Sequence, residues 1–335
     1  MYVNHHIRPG LILRFAWKNL LLFLVLSAGS FALYSYLGCR YLAIPFLPIG
    51  VIGTAVAFYI GFKNNSSYER LWEARRIWGS ITNNSRAWGV MALDFVNNDF
   101  APDPLPPAAL QSIRRELLYR QLGLVSALRH QLRRPQYWQS PVSRAVALEA
   151  AARYEHACGE DLRLFLPEDE VATALTYPNT ATHLIRRQSA RLLELRQAGL
   201  LNDFRHLEMA RMLNDMYNQQ GACERIKSFP LPRQYAYFSA VFTWLFIVLL
   251  PFGMLGEFAK VGPQYTWLMI PFHLLISWVF MTMETIGDTS ENPFENGIND
   301  VPMTAINRNI EIDLRAMLGE TDLPPRVEAV DGILL

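Results

Sequence analysis

Residues 20–62 read LLLFLVLSAGSFALYSYLGCRYLAIPFLPIGVIGTAVAFYIGF, and Arg40 is the one charged residue in the stretch. On either side of it lies an uncharged run, Leu20–Cys39 and Tyr41–Phe62. At 1.5 Å of rise per residue, each is long enough to cross a hydrocarbon layer of ~30 Å. Two further runs without Lys, Arg, Asp or Glu, Gln234–Gly256 and Val261–Met283, repeat the arrangement near the other end of the chain. Between the two pairs lie about 170 residues of charged, helix-patterned sequence. The reading is an all-α integral membrane protein with four transmembrane helices in two hairpins and a large water-facing helical part.

The apolar runs lack the polar stripe that a core helix of a soluble domain carries. The first is also too long for a signal peptide and is followed at once by a second span. Basic residues set the orientation. One side of the spans has Arg8, Arg14, Lys18, Lys63, Arg70, Arg75, Arg76, Arg225, Lys227 and Arg233; the other has only Arg40 and Lys260. By the positive-inside rule both termini and the central region are expected in the cytoplasm, with the spans in the cell inner membrane. Cys39, Cys158 and Cys223 fall in three different regions without paired spacing, so no disulfide framework is expected. No metal-binding, phosphate-binding or nucleophile motif occurs, and the adjacent His5 and His6 read as a flexible polar end. Neither a cofactor nor a nucleic acid is expected.

Along the chain, 1–19 reads as an N-terminal segment, 20–62 as the first two spans, 63–233 as a helical cytoplasmic domain, 234–285 as the last two spans and 286–335 as a C-terminal segment. Residues 64–100 continue the second span as a charged helix, because no Pro or Gly cluster stops it. The first firm break is Ala101-Pro-Asp-Pro-Leu-Pro-Pro107, where prolines remove donors and fix φ. Amphipathic helices are expected at about 109–133, 143–165, 181–198 and 203–227, separated by Pro135, Pro141, Pro167 and Pro178. A last helix is expected to run through about Met317, with an extended or disordered tail from Leu323.

Within the second span, Gly53, Ala57 and Gly61 recur every four residues, as do Thr54, Phe58 and Phe62. Each set makes a stripe on a helix, the two stripes about 100° apart. Small residues at this spacing let a second helix approach closely. The other stripe has two readings: the rings face lipid or a neighbouring helix, or several copies surround an axis and form a narrow hydrophobic neck that gates by dewetting. His273 is the one ionisable group deep in a span. A single packed, hydrogen-bonded histidine fits a passive pathway better than coupled transport.

Gly61-Phe-Lys-Asn-Asn-Ser-Ser-Tyr-Glu-Arg-Leu-Trp-Glu-Ala-Arg-Arg-Ile-Trp-Gly79 resembles the segment after the second transmembrane helix of bacterial bestrophins. Gly221-Ala-Cys-Glu-Arg-Ile226 before Pro230 is similar to the family's approach to its second hairpin. Glu291-Asn-Pro-Phe294, Asn299-Asp-Val-Pro302 and Ile306–Leu314 resemble its post-membrane segment. The likeness covers about residues 8–318. It implies a homopentameric ion channel whose self-assembled partners, permeant monovalent ions and lipid bilayer are its only expected associates. It places a pore neck at Thr54, Phe58 and Phe62 and a cytoplasmic aperture at Phe204. The sequence departs from the family twice. Thr54 stands where the outermost neck position is usually aliphatic. The acidic run that forms a calcium clasp in eukaryotic relatives is reduced to Glu295 and Asp300, with Glu291 nearby. A calcium site from those three is conceivable, but a turn with capping side chains is the reading taken.

Ring edges presented by Phe58 and Phe62 suit an anion, and ring faces a cation. With 31 basic and 30 acidic residues, total charge does not choose. An anion channel is expected, chloride being the family's association, with a sodium or potassium channel of the same architecture as the alternative. The Tyr68–Trp78 segment reads as an interface anchor. A membrane-bound enzyme or receptor finds no clustered His, Cys or paired acids to support it, and a membrane-anchored scaffold is the remaining class.

Overall fold

The computed structural model describes residues 1–3, 9–134 and 144–335. Among them the α-helices are α1 (Pro9–Ser35), α2 (Phe46–Phe95), α3 (Pro107–Arg133), α4 (Arg144–Arg163), α5 (Glu168–Leu175), α6 (Thr180–Gln197), α7 (Asp203–Ser228), α8 (Arg233–Val261), α9 (Met269–Ser290) and α10 (Met303–Met317). The described residues contain no strand, only isolated bridges at Tyr2–Ile333 and Val330–Ile333. His5, His6, Arg8, Pro135 and Pro141 lie outside them.

Four helical stretches are long and apolar enough to cross a membrane: Ala16–Ser35, Arg40–Phe95, Arg233–Val261 and Pro263–Thr289. The first ends earlier than its uncharged run. Gly38, at φ +68°, reverses the chain, a conformation that costs glycine nothing, and a 3₁₀ turn at Arg40–Leu42 leads to α2. The fourth begins with a 3₁₀ segment, Pro263–Leu268, before α9. As expected from the missing stop signals, α2 continues far beyond its apolar part, for 50 residues in all.

The chain divides into two compact units. The apolar unit comprises the described part of Asn4–Leu71 and Pro230–Asn292. In it α1, α8 and α9 pack on one another, around a core of Ile49, Val56, Ile60, Phe246, Leu250, Met254, Leu255 and Met269. Phe23 of α1, fully buried, meets Ile247 and Met281. His273 is fully buried here, its Nε2 within 3.1 Å of the Ile247 carbonyl and 3.2 Å of Ser277 Oγ. It is a packed group tying α9 to α8.

The helical unit comprises the described parts of Met1–Val3, Trp72–Phe229 and Pro293–Leu335. α3 is its centre, packing on α4, α6, α7 and α10, and Leu117, Leu118, Leu162, Leu184 and Leu192 are fully buried. The Pro-rich break is held by Asn98, whose side chain donates to Leu105 O (2.8 Å) and accepts from Leu105 N (3.0 Å). α3 then starts with Pro107 in its first turn, where a missing donor costs nothing. The sequence reading passed over α5. Its 8 residues are too few to show a period, although Pro167 followed by Glu168, Asp169 and Glu170 is a helix-start signal.

Candidate functional site

The side of α2 that packs follows the helix's own period of about 3.6 residues. In the apolar unit Ile49, Gly53, Val56, Ile60, Lys63 and Ser67 are buried in succession, and in the helical unit Ala74, Ile77, Ile81, Ser85, Trp88 and Ala92 are buried at the same spacing. A straight helix keeps one side towards its neighbours at this spacing. Residues four apart drift about 40° per step away from it. Of the small-residue stripe, Gly53 packs within the chain, Ala57 is half-buried and Gly61 faces open space with nothing within 4 Å.

Two glycines bring α2 and α8 together. A Cβ on Gly53 would stand 2.6 Å from the Phe246 ring, and one on Gly253 would stand 2.5 Å from Ile49 Cδ1. Each glycine therefore receives a large side chain from the other helix. Gly253 was not legible because α8 is apolar on every side.

The opposite side of α2 is left open. Thr54 is exposed, as are Phe58 (67%) and Phe62 (65%). The Thr54 hydroxyl donates to Gly50 O at 3.0 Å, so it presents lone pairs and a methyl, not a donor, to whatever lies opposite. The structure thus brings the three proposed neck residues onto one uncovered face of the apolar unit.

Beside Phe62 sits a feature the sequence did not disclose. Lys63 is fully buried, its Nζ donating to Glu284 Oε1 and Asp288 Oδ1, each at 2.5 Å. Ser239 Oγ of α8 donates to the other Glu284 oxygen at 2.6 Å. One residue on, Asn64 Nδ2 donates to Met283 O (3.0 Å), and its Oδ1 fills the space where a Gly287 Cβ would be. Read from sequence, Lys63 is a flanking basic residue. The signal was the i, i+4 pair Glu284 and Asp288 just past the last apolar run. Arg70 Nε donates to Glu291 O (3.1 Å), and burial pushes the Glu291 carboxyl above the usual range, against the pull of Arg233 and Arg70.

In the helical unit Phe204 is 83% exposed at the start of α7. The turn before it needs Gly199 at φ +73°, where any Cβ would meet the Phe100 carbonyl at 2.5 Å. Asn202 caps α7 by accepting from Arg205 N at 2.9 Å. The Arg205 guanidinium lies 5.9 Å from the Phe95 and Phe100 rings and 3.3 Å from Asp99 Oδ2. The chain around Phe204 is thus anchored while its ring is not.

The weak calcium candidates have protein partners. Asp300 Oδ2 accepts from the backbone N–H of Glu295 (2.7 Å) and Gly297 (2.8 Å), a turn closed by its own side chain. Glu295 pairs with Lys227 at 3.3 Å, and Glu291 lies 3.8 Å from Arg233. Among the described residues no three His, Cys, Asp or Glu side chains group as metal ligands. In the segment read as an interface anchor, Tyr68 (59%) and Trp72 (56%) are exposed, while Glu73 pairs with Arg225 at 2.5 Å. The cysteines are unpaired, and burial pushes the Cys158 thiol up to about 11 and Cys223 upward as well.

The family described as "Bacterial/Fungal Bestrophin protein" matches residues 5–316. A voltage-dependent anion channel-forming protein of Ralstonia nicotianae is 30% identical over 291 residues, covering 86% of this chain and 82% of its own length. The voltage-dependent anion channel-forming protein YneE of Escherichia coli is 30% identical over 313 residues, covering 92% of this chain and 88% of its own. Among solved structures, a bacterial bestrophin homologue from Klebsiella pneumoniae superposes with a TM-score of 0.74 at 24% identity, over 91% of this chain and 98% of that one.

Proposed function

Because the chain belongs to the bacterial and fungal bestrophin family, we propose that its copies assemble as a homopentamer that passes monovalent anions passively across the inner membrane. Both termini lie in the cytoplasm, as the basic-residue asymmetry indicates. Thr54, Phe58 and Phe62 of five α2 helices form the neck. Phe204 forms a second, cytoplasmic narrowing. The observation that carries this is the open face of α2: two phenylalanines, each about two-thirds exposed, stand on a helix whose other side is sealed against its own unit. A ring of such side chains around an axis gives a dry constriction that admits ions only when it widens or wets. The choice of anion is supported by the names of the two relatives and by the electropositive rim that an edge-on ring offers. Thr54, with its proton spent on Gly50, contributes a wettable oxygen and no donor for the anion.

The test is a planar-bilayer recording of the purified protein under a tenfold KCl gradient. A perfectly selective monovalent pore reverses at a magnitude of ~59 mV, and the sign tells chloride from potassium. Phe58→Ala and Phe62→Ala are expected to change unitary current or open probability, and Thr54→Ile to lower the open fraction. Reversal of the potassium sign establishes the cation channel instead. Unitary currents unaltered in both alanine variants remove these rings from the pathway. An absence of flux from the wild type leaves an anchored scaffold.

A further inference from the structure

We infer that Lys63 is a positioning residue of the neck: its ion cluster with Glu284 and Asp288 fixes the rotation of α2 and thereby holds the Phe62 ring on the open side. The inference rests on the channel reading above and names a part of it that neither the relatives' names nor the neck residues themselves supply.

Three observations lead there. Lys63 is the residue next to Phe62, so the two side chains leave the helix about 100° apart and turn as one body. Lys63 has no exposed surface, whereas Phe62 is 65% exposed. The cation is held at 2.5 Å by two carboxylates one turn apart on α9, and Ser239 of α8 fixes the inner one at 2.6 Å. At the level where the neck stripe ends, α2 and α9 are thus joined by charge, and α8 is joined to them by a hydrogen bond.

Apolar seams tolerate small rotations, because Ile, Val and Phe side chains exchange one contact for another of similar strength. A buried ion pair does not. Turning α2 far enough to take Phe62 off the open side draws the ammonium out of its carboxylates while still inside the apolar unit, where an unpartnered charge is strongly disfavoured. Asn64 adds a geometric stop of the same sense. It donates to Met283 O, and its Oδ1 occupies the notch at Gly287, where even a methyl group would stand 2.3 Å away. Farther out, the Gly53–Phe246 contact restrains the other end of the stripe. It opposes rotation as well, because turning α2 would bring a neighbouring side chain to the Phe246 ring. At the level of Phe62 the cluster is the rotational detent. Asp288, whose side chain is 55% exposed, is the partner that can be removed without stranding a buried charge.

The experiment reads the direction of residue 62 without relying on current. Phe62→Cys is made in the full chain with Cys39→Ser, because Cys39 is the half-exposed thiol and Cys158 and Cys223 are buried. The protein is placed in liposomes and its modification by a small neutral methanethiosulfonate is timed by intact mass. With Lys63 present, the thiol introduced at position 62 is expected to react quickly. Adding Lys63→Met is expected to slow the reaction at least tenfold, Asp288→Asn about threefold, and Lys63→Arg less than threefold. A merely stabilising ion pair would lower the melting temperature of these variants and leave the modification rate at position 62 where it was, which overturns the inference. Should Lys63→Met fail to fold, Asp288→Asn decides: a rate within experimental error of the parent overturns the inference equally. Wild-type flux is measured in liposomes of the same composition. Flux with unchanged rates removes the detent and keeps the channel; shifted rates without flux keep the detent and remove the channel.

Discussion

Between Phe46 and Leu71, α2 hides a lysine and leaves Phe58 and Phe62 uncovered; between Trp72 and Phe95 it hides Trp78 and Trp88 and leaves Arg75 and Arg76 uncovered. The buried positions have the same spacing of about 3.6 residues in both halves, so backbone geometry does not distinguish them. The side left uncovered does. Where a helix faces water, large apolar rings are stabilised by burial and charges by hydration. In an apolar unit a ring gains little by being buried. A charge there must find a partner inside or an aqueous cavity. Each half of α2 therefore buries a mainly apolar side, and the halves differ in what they leave uncovered: Phe58 and Phe62 in the apolar unit, Arg75 and Arg76 in the helical unit.

The comparison breaks most easily at Trp88. It is fully buried, and its indole N–H donates to Leu117 O at 3.2 Å. Trp88→Ala is expected to cost about 3–5 kcal/mol, read as denaturant unfolding in detergent micelles. A loss below about 1 kcal/mol would mean that Trp88 is not packed in a tight core. Next in size are two glycines on the same helix. Gly53→Ala sets a methyl 2.6 Å from the Phe246 ring, itself packed 4.6 Å from the Phe280 ring. Overpacking of this kind costs about 1–3 kcal/mol. Gly89→Ala meets the outer side-chain atoms of Leu314 and Met317 at 2.8 Å, and the shift they must make is offset by about 0.5–1 kcal/mol of helix propensity. The first substitution is expected to lower the midpoint and the second to leave it almost unchanged. Equal losses would show that the helical half is as tightly sealed as the apolar half.

Much of this was legible before any coordinate. The four apolar runs, the unbroken passage of α2 out of the second run, and the proline break before α3 are local signals, and local signals survive in a bare sequence. The likeness of the 61–79 segment gave the family. What stayed hidden is long-range or lacks a period. Lys63 and Glu284 are 221 positions apart, and nothing local to either says that they meet. Gly253 lies in a helix that is apolar all round, so no pattern marks which side packs. α5 is too short for a period. Of the Gly53, Ala57, Gly61 stripe, only Gly53 meets a helix of its own chain, because a spacing of four leaves the buried side within two turns.

Phe62→Ala sharpens the contrast from the other side. The ring is two-thirds exposed, so the unfolding midpoint should move by under about 1 kcal/mol. Unitary current should nevertheless change if the open face of α2 lines a pathway. A large loss of stability with normal current would instead mean that the ring is covered in the assembled protein, by lipid or by another chain, and that the neck lies elsewhere.

The smallest effect is expected where the two halves use the same chemistry at different depths. Arg225 and Glu73 form a 2.5 Å ion pair in the helical unit, with side chains 68% and 35% exposed, against 0% and 5% for Lys63 and Glu284. Hydrated partners lose in ordering and screening most of what they gain in attraction. Glu73→Gln should therefore cost at most about 0.5 kcal/mol. The Debye length is about 10 Å at 0.1 M salt and about 3 Å at 1 M, so this small difference should shrink as salt rises. The loss from Glu284→Gln should persist, because salt does not reach a pair with so little exposed surface. If the Glu284→Gln loss also fades between 0.1 M and 1 M salt, the cluster is open to water, and the rule that separates the two halves of α2 fails at its most telling residue.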